Sequence, residues 1–358
     1  MLKILDKYII KKFLSTFFFM LGIIMLLSMV FDMSSRLSEF IEKKAPLYAI
    51  ITQYYFTFLL HYGNMFSSLI IFVSVIWFTA KMAQDSEIIP IMNSGINFRR
   101  LLRPYMIAST LLMLIALFLN HVVLPKSNKV LLEFEETYYR SRMHIENYHA
   151  ELPDNVALNF ASYSSDDNIV SNFVLERTDS NNELVYFLKA KSAVNTPGTS
   201  TWALSNFYER KIKDSSETIH NGLEKDTIFN FKIEDIAQRD NIAETMNYSE
   251  LKEFIEREKA KGSPNIPLYE IVLYERTSLP FSTYVLTIIG VSVSSRRKRG
   301  GVGINIALGL GIIFVYIFAM KVTTVAAMNV GLSTSIAVWV PNALFGIVAY
   351  ILYKYAPK

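Results

Sequence analysis

Six stretches of the sequence are apolar over close to the ~20 residues that a helix needs to cross a bilayer. They cover residues 13–31, 54–80, 101–124, 279–293, 302–320 and 335–353. In lipid a backbone must satisfy its own N–H and C=O groups, so runs of this kind are read as spanning helices. The fourth run is short. The sequence at 268–276 lets it extend back towards Pro267, and Pro280 within it is a candidate kink. The first run follows Lys3, Lys7, Lys11 and Lys12. It exceeds the about 7–15 apolar residues of a signal peptide and is read as a retained span. Charged residues make up 19% of the 358, and hydrophobic ones 51%. Soluble domains carry about 25% charged residues, and here the apolar excess lies towards both ends of the chain while the middle is polar.

Lys and Arg in the short loops set the expected orientation. Lys3, Lys7, Lys11, Lys12, Lys81, Arg99, Arg100 and Arg103 fall on one side. Arg296, Arg297, Lys298 and Arg299 join them there as a cytoplasmic anchor, as do Lys354 and Lys358. The other side has only Arg36, Lys43, Lys44 and Lys321 in short loops. Both termini are therefore expected in the cytoplasm and the long segment after the third span outside.

That segment alternates like β structure at 156–163, 169–177, 184–191, 201–210 and 227–233. Turn signals separate the strands, among them Asn221-Gly222. Short strands at this spacing suggest a sandwich or jelly roll. A helix over 249–261 follows, with Asn247 as N-cap and Glu250 three residues on. The expected fold class is an α-helical membrane protein with six transmembrane helices and an extracytoplasmic all-β, jelly-roll-like domain between helices 3 and 4. Residues 1–125 hold the first three spans, 126–266 the β domain and 267–358 the last three spans.

Enzymatic chemistry finds little support. The net charge of +4 sits near the spans and reads as topology and lipid contact, so no nucleic-acid partner is expected. There is no Cys, no G-x-x-x-x-G-K-[ST] loop for a nucleotide, and no metal-binding spacing among the five His. His61 lies within the second run near its outer edge. An ionisable group there is either functional or interfacial.

The loop between the second and third spans is more informative. Ser86 is placed to cap a short helix, Pro90 falls in its first turns, and Gly95 is placed to stop it. Ile88, Ile91 and Met92 share one face, with Glu87 beside them. A short amphipathic helix at about 84–98 with an open apolar face and one acid suits docking into a partner's groove. The plain alternative is a loop helix packed on the bilayer.

The stretch Ser86-Glu87-Ile88-Ile89-Pro90-Ile91-Met92-Asn93-Ser94-Gly95-Ile96 resembles the coupling helix of the LptF/LptG permease family. So do Leu5-Asp6-Lys7-Tyr8-Ile9, Arg103-Pro104, Asn120 to Pro125, Glu275-Arg276 to Pro280, Ser294 to Gly301, and Trp339 to Asn342. Their order agrees with the span map. Size and loop sequence look more like LptG than LptF.

The resemblance implies lipopolysaccharide export across the Gram-negative cell envelope by an inner-membrane ABC transporter. It implies an LptF-like sister permease, two copies of an LptB-like ATPase that uses ATP and Mg, and an LptC/LptA-like periplasmic bridge. This chain itself would bind no cofactor. Ser86, Glu87, Ile88, Ile91, Met92 and Gly95 would meet the ATPase. Phe13, Phe17, Phe18, Phe19, Phe314 and Phe318 are candidate walls of the lipid path, against the alternative of ordinary lipid-facing aromatics. Asp32 and Arg36 lie at its outer rim, where the acids Asp32, Glu39 and Glu42 depart from a strongly basic cluster. Rival readings are a permease for another lipid or a lipoprotein, a membrane enzyme of envelope synthesis, and a secondary transporter.

Overall fold

The computed structural model describes residues 3–138, 144–152, 155–164, 168–179, 181, 183–196, 199–213, 216–231, 240–260, 263, 265–295 and 301–356. The chain forms two compact units. One is helical (Met1–Tyr139, Ala243–Leu251 and Pro267–Lys358); the other comprises Arg140–Ile242 and Lys252–Ile266.

Six helices of the helical unit are long and apolar enough to cross a membrane. The first, α1, runs Ile4–Glu42. At 1.5 Å per residue it is about 58 Å long, twice the ~30 Å hydrocarbon core. It therefore extends past both ends of the apolar run. Lys3 N–H bonds the Asp6 carboxylate at 2.9 Å and secures its start.

A single turn α2 (Leu47–Ala49) leads into the second span. The continuous run expected at 54–80 is broken in the structure. A π-helical segment Ile50–Tyr55 leads into α3 (Phe56–Met65), then α4 (Ser67–Gln84). The break at Phe66 lies beside Gly63, Ser67 and Ser68, residue types that accompany kinks. A short helix α5 (Ile88–Asn93) precedes the third span.

That span is a rod made of α6 (Phe98–Phe118), a π-helical turn Leu119–Val123, and α7 (Leu124–Tyr138). Pro125 has no N–H for the preceding turn, and the widened turn falls there. The later spans are α9 (Ile266–Ser294), α10 (Gly301–Asn329) and α11 (Thr334–Lys354), after α8 (Tyr248–Ala260). α9 starts well before residue 279, as the sequence allowed, and carries Pro280 inside it.

Helices in lipid gain little from hydrophobicity, so close packing and polar pairs must hold them together. Gly309 of α10 presses on α4 so closely that a Cβ there would overlap Ile76 Cδ1. Ser109 and Thr287 pair at 2.8 Å between α6 and α9. Tyr316 of α10 donates to Asn342 Oδ1 of α11 at 2.9 Å, and Asn342 Nδ2 donates to the Ser278 carbonyl of α9 at 2.8 Å.

The second unit carries a six-stranded antiparallel sheet in sequential order. Its strands are β1 (His144–Leu152), β2 (Val156–Ser164), β3 (Ile169–Thr178), β4 (Leu184–Asn195), β5 (Thr201–Lys213) and β6 (Ser216–Ile228). Four expected strands appear nearly as read. The fifth, expected at 227–233, does not: β6 lies earlier and ends at Ile228, and β1 is a strand the sequence pattern does not mark. Asn221-Gly222 is not a turn but lies within β6. Gly222 pairs with Phe207, where a Cβ would stand 2.8 Å from the Phe207 ring. Phe160, Phe173, Leu188, Trp202 and Leu204 form the sheet's core.

At the start of α8 the expected capping box is present. Glu250 N–H bonds Asn247 Oδ1 at 3.0 Å, and Asn247 N–H bonds Glu250 Oε2 at 2.8 Å.

Candidate functional site

The loop after α4 shows how sequence signals compete. Ser86 is not the cap of α5. It adopts φ 61° and closes α4 instead. Ser86 N–H bonds the Ala83 carbonyl and Glu87 N–H bonds the Met82 carbonyl at 2.9 Å, the pattern of a Schellman ending. Glu87 occupies the cap position of α5 without a side-chain cap bond. Gly95 ends α5 as expected, with φ 82° and its N–H on the Met92 carbonyl.

The apolar face of α5 is turned inward. Ile88 is 3% exposed and joins a core with Ile9, Phe13, Val75 and Leu101, while Ile91 and Met92 pack partly buried against it. The expectation of an open apolar face is therefore corrected. The bundle uses that face, and among the described residues of 88–95 Pro90, Asn93, Ser94 and Gly95 are exposed.

Glu87 is tied to α1. Tyr8 donates to Glu87 Oε2 at 3.0 Å, Lys12 Nζ stands 3.5 Å from Oε1, and Lys12 donates to Tyr8 Oη at 2.8 Å. The sequence shows Lys12 as a topology charge and Tyr8 within the opening motif, but not that they meet Glu87, which lies 79 residues away from Tyr8. A second tie sits below it. Arg100 at the start of α6 grips Asp6 through bonds of 2.6 and 2.8 Å.

At the other end of α1, Arg36 Nε donates to Asp32 Oδ1 at 2.7 Å, and Tyr54 Oη donates to Asp32 Oδ2 at 2.9 Å. The guanidinium is thus engaged by an acid of its own helix. The six candidate wall residues divide: Phe13 is fully buried in the inner core and Phe19 is 68% exposed. Phe17 is 4% exposed and belongs to the inner core, so it is not free to line an open path. Phe18, Phe314 and Phe318 are 53%, 71% and 61% exposed. Only 17% and 22% of the apolar stretches of α1 and α10 are buried, against 61% in α4 and α9. These two helices are therefore the least buried of the six, although the third span and α11, each 33% buried, also expose apolar surface. Arg296, Arg297, Lys298 and Arg299 lie outside the described residues.

A polar layer crosses the second, third and fourth spans. His61 Nδ1 meets Asn128 Oδ1 at 3.0 Å, Asn64 Nδ2 donates to Asn120 Oδ1 at 2.7 Å, and Asn120 Nδ2 donates to the Arg276 carbonyl at 3.2 Å. Arg276 is 7% exposed and donates through Nη2 to the Ala243 carbonyl at 2.9 Å. His61 therefore reads as one member of a structural layer. Of the other members, Asn120 and Arg276 stand in motifs quoted above, but nothing local showed that they meet.

No curated protein matches the chain. The family profile described as lipopolysaccharide export system permease LptF/LptG matches residues 7–355. With six apolar helices and an antiparallel sheet inserted in chain order between the third and the fourth, and with nearly every residue inside that match, the chain belongs to the LptF/LptG family of lipopolysaccharide export permeases.

Proposed function

We propose that this permease is an LptG-like subunit of an inner-membrane ABC transporter. It pairs with an LptF-like sister and is driven by two LptB-like ATPase subunits seated against residues 84–98. Its termini face the cytoplasm and its sheet faces the periplasm. It draws lipopolysaccharide out of the membrane and hands it to an LptC/LptA-like bridge. ATP and Mg belong to the ATPase, and this chain binds no cofactor of its own.

One observation supports the reading most: the short helix beside the second span is bonded through Glu87 to Tyr8 and Lys12 of α1. Force applied to α5 reaches α1 directly. α1 in turn carries, with α10, the open apolar surface on which Phe18, Phe314 and Phe318 stand. Moving an acyl chain into water costs about 0.8 kcal/mol per CH₂, so a dozen methylenes cost on the order of 10 kcal/mol. A sheltering wall and an external energy source answer that cost together. Because Asp32 holds Arg36, this subunit supplies wall more than headgroup charge; the sister or a divalent cation meets the phosphates.

Glu87→Lys tests the assignment. The variant chain should remain in the membrane while ATPase co-purification or coupled export falls. Normal co-purification together with normal export rejects it.

A further inference from the structure

A groove of about 780 Å³ opens between α6, α9 and α11. No residue of α1 or α10 lines it, so it is separate from the wall assigned to the exported lipid. Its volume falls within the about 300–1,000 Å³ of ordinary ligand sites. It opens at the end of the bundle where α6 begins and α11 finishes, and the Phe98 and Tyr353 rings meet there at 5.9 Å.

The lining has two parts. Leu102, Met106, Val285, Ile288 and Ala349 form an apolar wall, while Arg99, Arg100 and Arg103 form the rim. Among the described residues no carboxylate lines it. Arg100 is committed to Asp6. Arg99 and Arg103 are exposed and form no ion pair among the described residues. They stand one turn apart in the first two turns of α6, where the helix dipole already favours an anion over a cation. Arg103 feels the Asp6 carboxylate at a distance, but neither guanidinium is held in an ion pair among the described residues, so the two make a positive rim above an apolar slot.

We infer that this groove holds one anionic glycerophospholipid of the bilayer, with its phosphate at Arg99 and Arg103 and its acyl chains along the α6–α9–α11 wall. Basic pockets between spanning helices on the cytoplasmic side select anionic headgroups in this way. The charge of the rim favours such a lipid over a zwitterionic one. The apolar slot at span depth favours a lipid over a free phosphate. In the orientation proposed above the lipid belongs to the cytoplasmic leaflet.

Native mass spectrometry of the full chain, purified with its accompanying subunits and titrated with phosphatidylglycerol or phosphatidylcholine, tests this. Arg99→Ala with Arg103→Ala should lower phosphatidylglycerol retention about tenfold and leave phosphatidylcholine unchanged. Gly346→Phe should lower it comparably without altering charge, because a Cβ at Gly346 meets nothing within 4 Å and the ring would fill the slot. Phosphatidylglycerol retention that is unchanged in either variant overturns the assignment. So does equal retention of the two lipids by the unaltered chain. The readout is lipid retention, so it stands apart from any result on ATPase docking or export.

Discussion

Asp6 and Arg100 are 94 residues apart in sequence and joined by two hydrogen bonds, at 2.6 and 2.8 Å. The carboxylate is 1% exposed, and its Oδ2 also accepts the Lys3 N–H. The pair fastens the start of the first span to the start of the third, below the point where Glu87 meets Tyr8 and Lys12. Removing one member leaves the other charge uncompensated, which is worse than removing both. Asp6→Asn and Arg100→Gln should each lower the thermal midpoint of the purified protein, and the double variant should lose less than the sum of the two. Additive losses would show that the pair is not energetically coupled. Arg100→Lys should recover only part of the loss, since an ammonium does not reproduce the two-pronged geometry.

Tyr8→Phe removes the hydroxyl that donates to Glu87 Oε2 and accepts from Lys12, and leaves the ring in place. The proposed transmission from α5 to α1 predicts that ATP hydrolysis continues while lipid release per ATP falls. Comparing the two rates in the same reconstituted vesicles checks it. An unchanged ratio would mean that the tie is structural only.

These ties mark the boundary of what the sequence discloses. The spans were legible because an apolar run of bilayer length has few other uses, and the cap of α8 was legible because Asn247 and Glu250 act within one turn. Ser86 misled because the end of α4 and the start of α5 compete for the same residue, and the Schellman closure took it. Asn221-Gly222 carries the local signature of a hairpin, but pairing with β5 overrode it, with Gly222 serving to admit the Phe207 ring. Ile88, Ile91 and Met92 were correctly placed on one face. Which way that face points depends on Ile9, Phe13 and Val75, and no local pattern contains them. The links from Glu87 to Tyr8 and from Asn64 to Asn120 to Arg276 are tertiary, so they became visible only with the fold.

Gly222→Val places methyl groups where the Phe207 ring lies. Overpacking of this kind costs about 1–3 kcal/mol. Hydrogen exchange in β5 and β6 should speed up, and Phe207→Leu should restore protection in the double variant. Unchanged exchange in the single variant would contradict the contact.

Glu209 gives the β unit an acid-sensitive element. Burial alone would raise its pKa, but bonds from Lys225 at 2.8 Å, Tyr186 at 3.0 Å and Lys211 at 3.3 Å bring it below the usual carboxylate range. Its folded pKa is the lower one. The stabilisation is therefore complete above the unfolded value of about 4.5 and is lost as pH falls through the folded value. Exchange protection in β4–β6 should drop as pH is lowered through that window. Glu209→Gln should be less protected at neutral pH and flatter below it. A variant with the same acid dependence as the unaltered chain would remove Glu209 from the account.

In the proposed function the open faces of α1 and α10 shelter the exported lipid. Photo-crosslinkers at Phe18 and Phe314, with Leu344 of α11 as a control that is 52% exposed against 53% for Phe18, test it in vesicles containing lipopolysaccharide and the assembled transporter. Lipopolysaccharide adducts are expected at Phe18 and Phe314 and should diminish when ATP is supplied, with few at Leu344. Equal labelling at all three positions, unaffected by ATP, would contradict it.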